Sequence, residues 1–415
     1  MAVKKRVKVK YKSVLIVVVL LILVGIVISF FKKEQVLYMM DLVGVDYNNL
    51  DTLLKEYDLE VFSTYKYHDE YAKDTIISQS IEKDQIINKG DKLELIISKG
   101  KLDLEKLKND GINELGKVPI MMYHGIKDIP SGETNYIGGN VDIDGYTRTA
   151  LAFRSDLEFY YQEGYRMIKL SDYVNGIVNV PYGYSPIILT FDDGNADNIR
   201  VIGTDNFGNL IIDPNSAVGI LEEYKKKYPD FNVTAIFFLT NNLFNQPDYD
   251  SEIIKWLIEH GYEVGNHTQG HNNFSQIDEI KTQQVVGYMY QKLESIIPNK
   301  YSKIVALPYG SPYNKEHKNY PYILNGTYNE ITYQTIAALR VGWEPEVSPY
   351  NSSFDATFLK RCRAYDNNGR EFDIEMVFNG LKKTRYISDG DNDIITTSKD
   401  NQSIINNTSK ELILY

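Results

Sequence analysis

The chain has 415 residues, too many for one minimal domain and enough for two or three. A composition of 43% hydrophobic and 24% charged residues is that of a globular protein and excludes a disordered or collagen-like chain. The net charge is −11, but residues 1–33 hold eight basic and no acidic residues, which leaves −19 on the rest; so acidic a body repels phosphate backbones and argues against nucleic acid as the main partner. Cys362 is the sole cysteine, so no disulfide partner and no cysteine-based metal site is available.

Lys12 and Lys32 bracket nineteen uncharged residues, Ser13 to Phe31, nearly all Val, Leu or Ile. As a helix this run spans about 28 Å, close to the hydrocarbon thickness of a bilayer. A buried core helix would need a polar face, which the segment lacks. A cleaved signal peptide normally has a shorter apolar region and a small-x-small site, whereas Ile28-Ser29-Phe30-Phe31 leads straight into Lys32. The six positive residues of Lys4–Lys12 outweigh Lys32 and Lys33, which orients the N-terminus inward. The expectation is a cytoplasmic tail at 1–12, a single transmembrane helix at 13–31 retained as an anchor in the cell membrane, and an extracellular body.

Residues 35–100 read as a small α/β module. Asn48 or Asn49 is the candidate cap of a short helix with apolar positions Leu50, Leu53, Leu54 and Tyr57. Leu59–Tyr65 is a strand candidate. So is Lys92–Ser98, where Leu93, Leu95 and Ile97 alternate against Lys92, Glu94 and Ile96. Asp41-Leu42-Val43-Gly44, Ile77-Ser78-Gln79-Ser80, Lys89-Gly90-Asp91-Lys92-Leu93 and Ser98-Lys99-Gly100 together resemble a PASTA module, a type found outside many Gram-positive cells on cell-wall enzymes and wall-sensing kinases. Met40 and Ile81 stand where that family commonly has prolines. The plainer role for such a module is a spacer that holds the next domain off the membrane.

Residues 101–117 read as a charged linker. From Val118 to residue 398, short apolar runs alternate with helical patterns, the mark of an α/β domain with parallel strands. The strands expected are Val118–Tyr123, Pro186–Phe191, Thr234–Leu239, Tyr262–Gly265 and Ile304–Leu307; helices are expected at Ala152–Glu163 and Ala217–Lys227. Residues 399–415, rich in Asn, Ser and Lys, read as a loosely held polar tail.

Two elements carry chemistry. The apolar run Ile187–Phe191 ends in Asp192-Asp193-Gly194; adjacent carboxylates at the end of a buried strand are costly unless a cation pairs with them. Glu263–Asn266 leads into His267-Thr268-Gln269-Gly270-His271, and a spacing of four lets two imidazoles point one way across a helical turn. One carboxylate with two imidazoles suits zinc or a similar borderline metal such as cobalt or nickel, with positions left for water and substrate.

These residues resemble the polysaccharide deacetylases (carbohydrate esterase family 4, the NodB-homology group). Thr190-Phe191-Asp192-Asp193-Gly194, His267-Thr268-Gln269-Gly270-His271 and Leu307-Pro308-Tyr309-Gly310 look like its first three motifs, and Val118–Ile126 resembles the opening strand in one branch. The resemblance implies a distorted (β/α) barrel with its site at the C-terminal strand ends. It implies Asp193, His267 and His271 as metal ligands, Asp192 as the general base, and the backbone N–H of Tyr309 as an oxyanion donor. The family's arginine two residues before the motif-three proline is replaced by Ala306, and no histidine follows His317 to serve as the late general acid. His124, at the end of the first strand, is the candidate acid; Arg361 or Arg363 is the candidate cation, and Trp343 a candidate wall of the acetyl pocket. The implied activity is hydrolysis of N-acetyl groups on cell-wall or surface glycan. The rivals are an O-acetyl esterase and a decayed domain that only binds or senses the wall.

Overall fold

A computed structural model describes residues 36–415 except 133, 134, 137, 138 and 343. The chain divides into two compact units, ending and beginning at Asp103 and Leu104. The expected tail and anchor at 1–31 lie outside the described residues; among the described residues no helix is long and apolar enough to cross a membrane.

The first unit is built on a three-stranded sheet of β1 (Glu60–Lys66), β2 (Ile76–Gln79) and β3 (Lys92–Ser98). Central β3 runs parallel to β1, pairing Glu60 with Lys92, and antiparallel to β2. Leu93, Leu95 and Ile97 of β3 are buried, as their alternation requires. The apolar cluster also takes in Ile81, and Met40 packs against it, so both departures from the PASTA pattern serve as core contacts. The short helix is Leu50–Leu53, preceded by a 3-10 turn at Tyr47–Asn49. Of the two expected caps, Asn49 stands at the N-cap of this helix without a side-chain bond, and Asp46 caps the 3-10 turn, its carboxylate accepting from Asn48 N–H at 2.9 Å.

The second unit is an eight-stranded, all-parallel sheet wrapped by helices. Its strands are β4 (Ile120–Tyr123), β5 (Tyr165–Met167), β6 (Ser185–Phe191), β7 (Ile236–Leu239), β8 (Glu263–Asn266), β9 (Ile304–Ala306), β10 (Ala337–Leu339) and β11 (Cys362–Arg363). The spatial order is β10-β9-β8-β7-β6-β4-β11, and β5 pairs with the first half of β6. The ends of this path approach each other at one parallel bridge, Leu339 to Leu359. The sheet is thus curled like a half-barrel, with a narrow contact where a regular barrel has a full strand pair. Helices α1 (Ala150–Gln162), α2 (Ala217–Lys227), α3 (Asp250–Glu259), α4 (Glu279–Ile296) and α5 (Ile374–Leu381) follow. Thr149 and Ser216 cap α1 and α2 through their hydroxyls.

Two readings of the flanks are corrected. The segment 101–117 is not a free linker: Leu104–Asn109 is a helix, and Ile112, Glu114 and Leu115 are buried against the C-terminal region. Nor is 399–415 a loose tail. Polar residues at 399–410 mask a final strand, β13 (Glu411–Leu414), which pairs in parallel with β12 (Ile394–Thr397). The Tyr415 hydroxyl then donates to the Ile112 carbonyl at 2.6 Å, closing the two ends of the unit on each other.

Candidate functional site

Strand alternation decides which side chains enter the half-barrel. Ile187, Leu189 and Phe191 of β6 join the helix-side core, while Ile188 packs inward with Ile120, Phe238, Ala306 and Leu359. Continuing the alternation puts Thr190 and Asp192 on the inner side. The same parity carries from Leu359 to Arg361 and from Ile120 to His124, while Cys362 packs outward. Gly265 sits where an added Cβ would lie 2.6 Å from the inward Phe238 ring, so this strand has no room for a larger residue.

Arg361 and Asp192 meet in this interior, both essentially without solvent contact at 0% and 1% exposure. The guanidinium donates to Asp192 Oδ1 at 2.8 Å and Oδ2 at 2.7 Å. Two further donors go to Thr190 Oγ1 at 3.1 Å and the Arg340 carbonyl at 2.9 Å. Burial would raise the Asp192 pKa, but Arg361, with His267 and His124, holds it well below the ordinary carboxylate range. Of the two sequence candidates for the missing cation, Arg361 is the one on the carboxylate. Arg363 lies one alternation further along, where it donates to Tyr146 Oη at 2.9 Å and covers that ring.

Asp193, His267 and His271 come together with their potential ligand atoms within 4.8 Å of one another. Asp193 leaves β6 with φ of 76°, and Gly194 follows at 67°; a Cβ on Gly194 would lie 1.9 Å from the Leu243 carbonyl, so this turn accepts only glycine. The expected helical turn between the histidines is corrected. Asn266 Oδ1 accepts from Thr268 N–H at 2.8 Å, forming a side-chain turn in place of a helix, and Thr268 and His271 take φ of 66° and 52°. The rings still end 4.8 Å apart. Non-glycine residues in the left-handed region gather here, Tyr309 (φ 60°) included, the kind of local strain that concentrates at functional sites.

The donor set fits a divalent metal. His267 Nδ1 is 2.8 Å from the Ala306 carbonyl, which fixes the proton on Nδ1 and turns Nε2 into a lone-pair donor. That buried Nε2 has no hydrogen-bond partner and lies 3.2 Å from Asp193 Oδ1. Two electron-rich atoms so placed call for a cation between them, a proton or a metal. Burial would lower the His267 pKa, but the Asp192 and Asp193 carboxylates more than offset it and raise it. His271 Nε2 is 3.5 Å from the same oxygen; burial and the neighbouring His267 lower its pKa, which favours the neutral, ligating ring.

His124 faces Asp192 across the site, with Nε2 to Oδ2 at 3.9 Å, beyond hydrogen-bond length. Its ring stands edge-on to Tyr146 at 5.0 Å, and its pKa is lowered by burial despite the opposing carboxylates. Tyr309 is 57% exposed and its ring lies 4.5 Å from that of His271. All of these except Arg361 line one cavity of about 680 Å³. Trp343 lies outside the described residues. Sequence reasoning missed Lys127, Tyr146 and Arg340 in the lining; the alternation Leu359-Arg361-Arg363 is the signal that marks residues of this segment for the inner face. The Ala306 position, read as a loss, supplies the carbonyl that orients His267.

The strand ends of the half-barrel thus carry a clamped carboxylate beside an Asp-His-His trio whose donors suit a divalent ion. The family model described as polysaccharide deacetylase matches residues 180–322, and the PASTA domain model matches 38–99. The chain carries a polysaccharide deacetylase domain and a PASTA domain. Among solved structures, the Streptococcus pyogenes deacetylase PplD in complex with acetate is 16% identical, with 63% of this chain and 97% of that chain covered and a TM-score of 0.45. A de-N-acetylase from Aggregatibacter actinomycetemcomitans is 12% identical, covering 64% and 99%, with a TM-score of 0.42. A three-PASTA-domain region of a Ser/Thr kinase from Staphylococcus aureus is 16% identical, covering 32% and 81%, with a TM-score of 0.15. No curated protein is similar enough in sequence to match.

Proposed function

We propose that this protein is a metal-dependent deacetylase that hydrolyses N-acetyl groups on cell-wall or surface polysaccharide. The observation that carries the reading is the pairing of an Arg361-clamped Asp192 with the Asp193-His267-His271 trio in one cavity. Asp193, His267 and His271 are the residues to hold the ion, zinc first among the candidates with cobalt and nickel behind it. A bound divalent ion supplies Lewis acidity, polarising a carbonyl and acidifying a water.

The chain's own groups do the rest. Arg361 keeps Asp192 ionised and immobile, so the carboxylate is ready to take a proton from the attacking water. Loss of an amine needs a proton on nitrogen. His124 rests neutral because burial lowers its pKa, and it acts as acid only after gaining a proton. Asp192, 3.9 Å away, is the neighbour that has just accepted one. Tyr309 offers its backbone N–H to the developing oxyanion, as in the family. An O-acetyl esterase would use the same groups and depend less on His124. A decayed, purely wall-binding domain would have no use for a buried ion pair beside an orphaned imidazole nitrogen.

The proposed setting is the outer face of the cell membrane, with Ser13–Phe31 as a single-pass anchor and the PASTA domain between membrane and enzyme. Protease added to intact cells should shave the protein to a membrane stub; a body protected inside the cell would end that part of the reading. The test of function is acetate release from acetylated glycans by the full chain with and without chelator. Release abolished by chelator and restored by zinc supports the proposal. No release from any N-acetyl glycan in the metal-loaded protein refutes it.

A further inference from the structure

The cavity holds a cation that the deacetylase chemistry leaves unused. Arg340 follows β10 and lines the same cavity as Tyr309 and His271. Its backbone is fixed on both sides: its N–H donates to the Leu359 carbonyl at 2.8 Å, and its carbonyl accepts from Arg361 Nε at 2.9 Å. Its guanidinium carbon sits 4.6 Å over the Phe358 ring, which orients the fork. Among the described residues no carboxylate lies within ion-pair distance of it, and its Nε is buried without a hydrogen-bond partner. The nearby acid Glu344 is engaged with Lys360 at 2.8 Å. The other cavity cations have protein partners, Lys127 with Asp197 at 2.8 Å and Arg363 with Tyr146.

A buried donor without an acceptor costs free energy unless something else pairs with it. An oriented guanidinium is the group best shaped to grip a carboxylate or phosphate with two parallel bonds. Its placement also runs against the background, because residues 34–415 carry −19 and an acidic body repels anions in general. An anion admitted to this cavity therefore needs a local reader.

We infer that Arg340 determines specificity for an acidic glycan, binding a carboxylate or phosphate on or beside the sugar whose acetamido group is cleaved. The inference rests on the deacetylase reading above and names the substrate class of the same site. Arg340 is a substrate-positioning residue, and its effect belongs in KM.

The test uses the full chain and three acetylated probes of matched length: a neutral N-acetylglucosamine oligomer, an oligomer in which alternate sugars bear a carboxylate, and one bearing phosphate. Acetate release gives kcat and KM separately, and calorimetry on the chelated protein gives binding without turnover. The wild type should prefer one anionic probe over the neutral one, and the favoured probe identifies the anion. Arg340→Gln should shrink that preference about 10–100-fold, mainly through KM, which is the scale of one charge-assisted pair. Arg340→Lys, which keeps the charge and loses the fork, should recover part of it. Equal affinity of the wild type for all three probes, or a preference unchanged in Arg340→Gln, overturns the inference. So does equal weakening of neutral and anionic probes, which marks a structural role. Anion preference in calorimetry without acetate release would instead sink the deacetylase reading and leave the Arg340 site standing.

Discussion

Arg361→Met tests the design of the site most directly. The wild-type guanidinium places two bonds on Asp192 at 2.8 and 2.7 Å, a third on Thr190 and a fourth on the Arg340 carbonyl. Methionine fills similar length but leaves an uncompensated carboxylate in the interior. Breaking a buried pair in this way costs roughly 3–5 kcal/mol, which for a domain of this size lowers Tm by on the order of 5–10 °C. Asp192→Asn alone strands the arginine and should also destabilise. The double variant removes both charges, so its loss should fall short of the sum of the two by about 1–3 kcal/mol. Catalysis should respond through pH. With Arg361 present, Asp192 stays ionised across the acid range; without it, burial raises the carboxyl and the acid limb of acetate release should move to higher pH. Circular-dichroism melts of the four proteins measure the first effect, and pH–rate profiles of the wild type and Arg361→Met the second. An additive cycle, or Arg361→Met melting within about 1 kcal/mol of wild type, would refute the reasoning.

The two adjacent carboxylates should separate: Asp192→Asn keeps about one divalent ion per chain and loses turnover, while Asp193→Asn loses both, as read by elemental analysis beside acetate release. Equal ion content in the two variants contradicts the roles. His124→Ala should slow N-acetyl hydrolysis by roughly 10²–10⁴-fold and activated esters far less, because an alkoxide leaves without the proton an amine requires; equal losses on both substrates would make His124 structural. Glu114 is pushed up to about 8 by burial and by the neighbouring Asp389. Its folded-state pKa lies above the unfolded value, so the stability it contributes is complete below about pH 4.3 and falls as pH rises toward 8. Glu114→Gln should flatten that slope in urea melts between pH 5 and 9, and a slope retained in the variant assigns the dependence elsewhere.

The parallel strands and the chemistry at their ends were legible in the sequence because apolar runs of strand length end in charged residues, a pattern with few other uses. Ala217–Lys227 begins and ends where its cap and lysines indicate. The flanks were illegible for a physical reason. A segment such as Lys101–Lys117 presents charge to solvent on one side and buries Ile112 and Leu115 on the other, and composition averages the two sides together. Contacts made across most of the unit, such as Tyr415 to Ile112, leave no local periodicity at all. Within the site, the structure brings His267 and His271 together, but through a geometry other than the one their spacing suggested: four residues span a helical turn, and they span a side-chain turn with left-handed residues equally well. Arg361 and Arg363 share one strand parity, so which of them supplied the cation depended on the depth at which each enters the half-barrel, and that follows from the register of Cys362 against Met121, which no local pattern encodes.

The cation for Asp192 comes from 169 residues further along the chain, past the end of the matched deacetylase segment at 322. Until β11 docks beside β4, the growing sheet encloses an acid with nothing to balance it. Closing a loop of that length must be paid for before the pairing rewards it. The ion pair therefore ties the site to completion of the sheet. A chain shortened to the matched segment would keep Asp192 and the three candidate ligands, yet lose β4, which pairs with the Asp192 strand, and Arg361, which leads into β11 on the far side of β4. Such a fragment would carry Asp192 without its partner, so C-terminal truncation should cost the unit stability as well as the site.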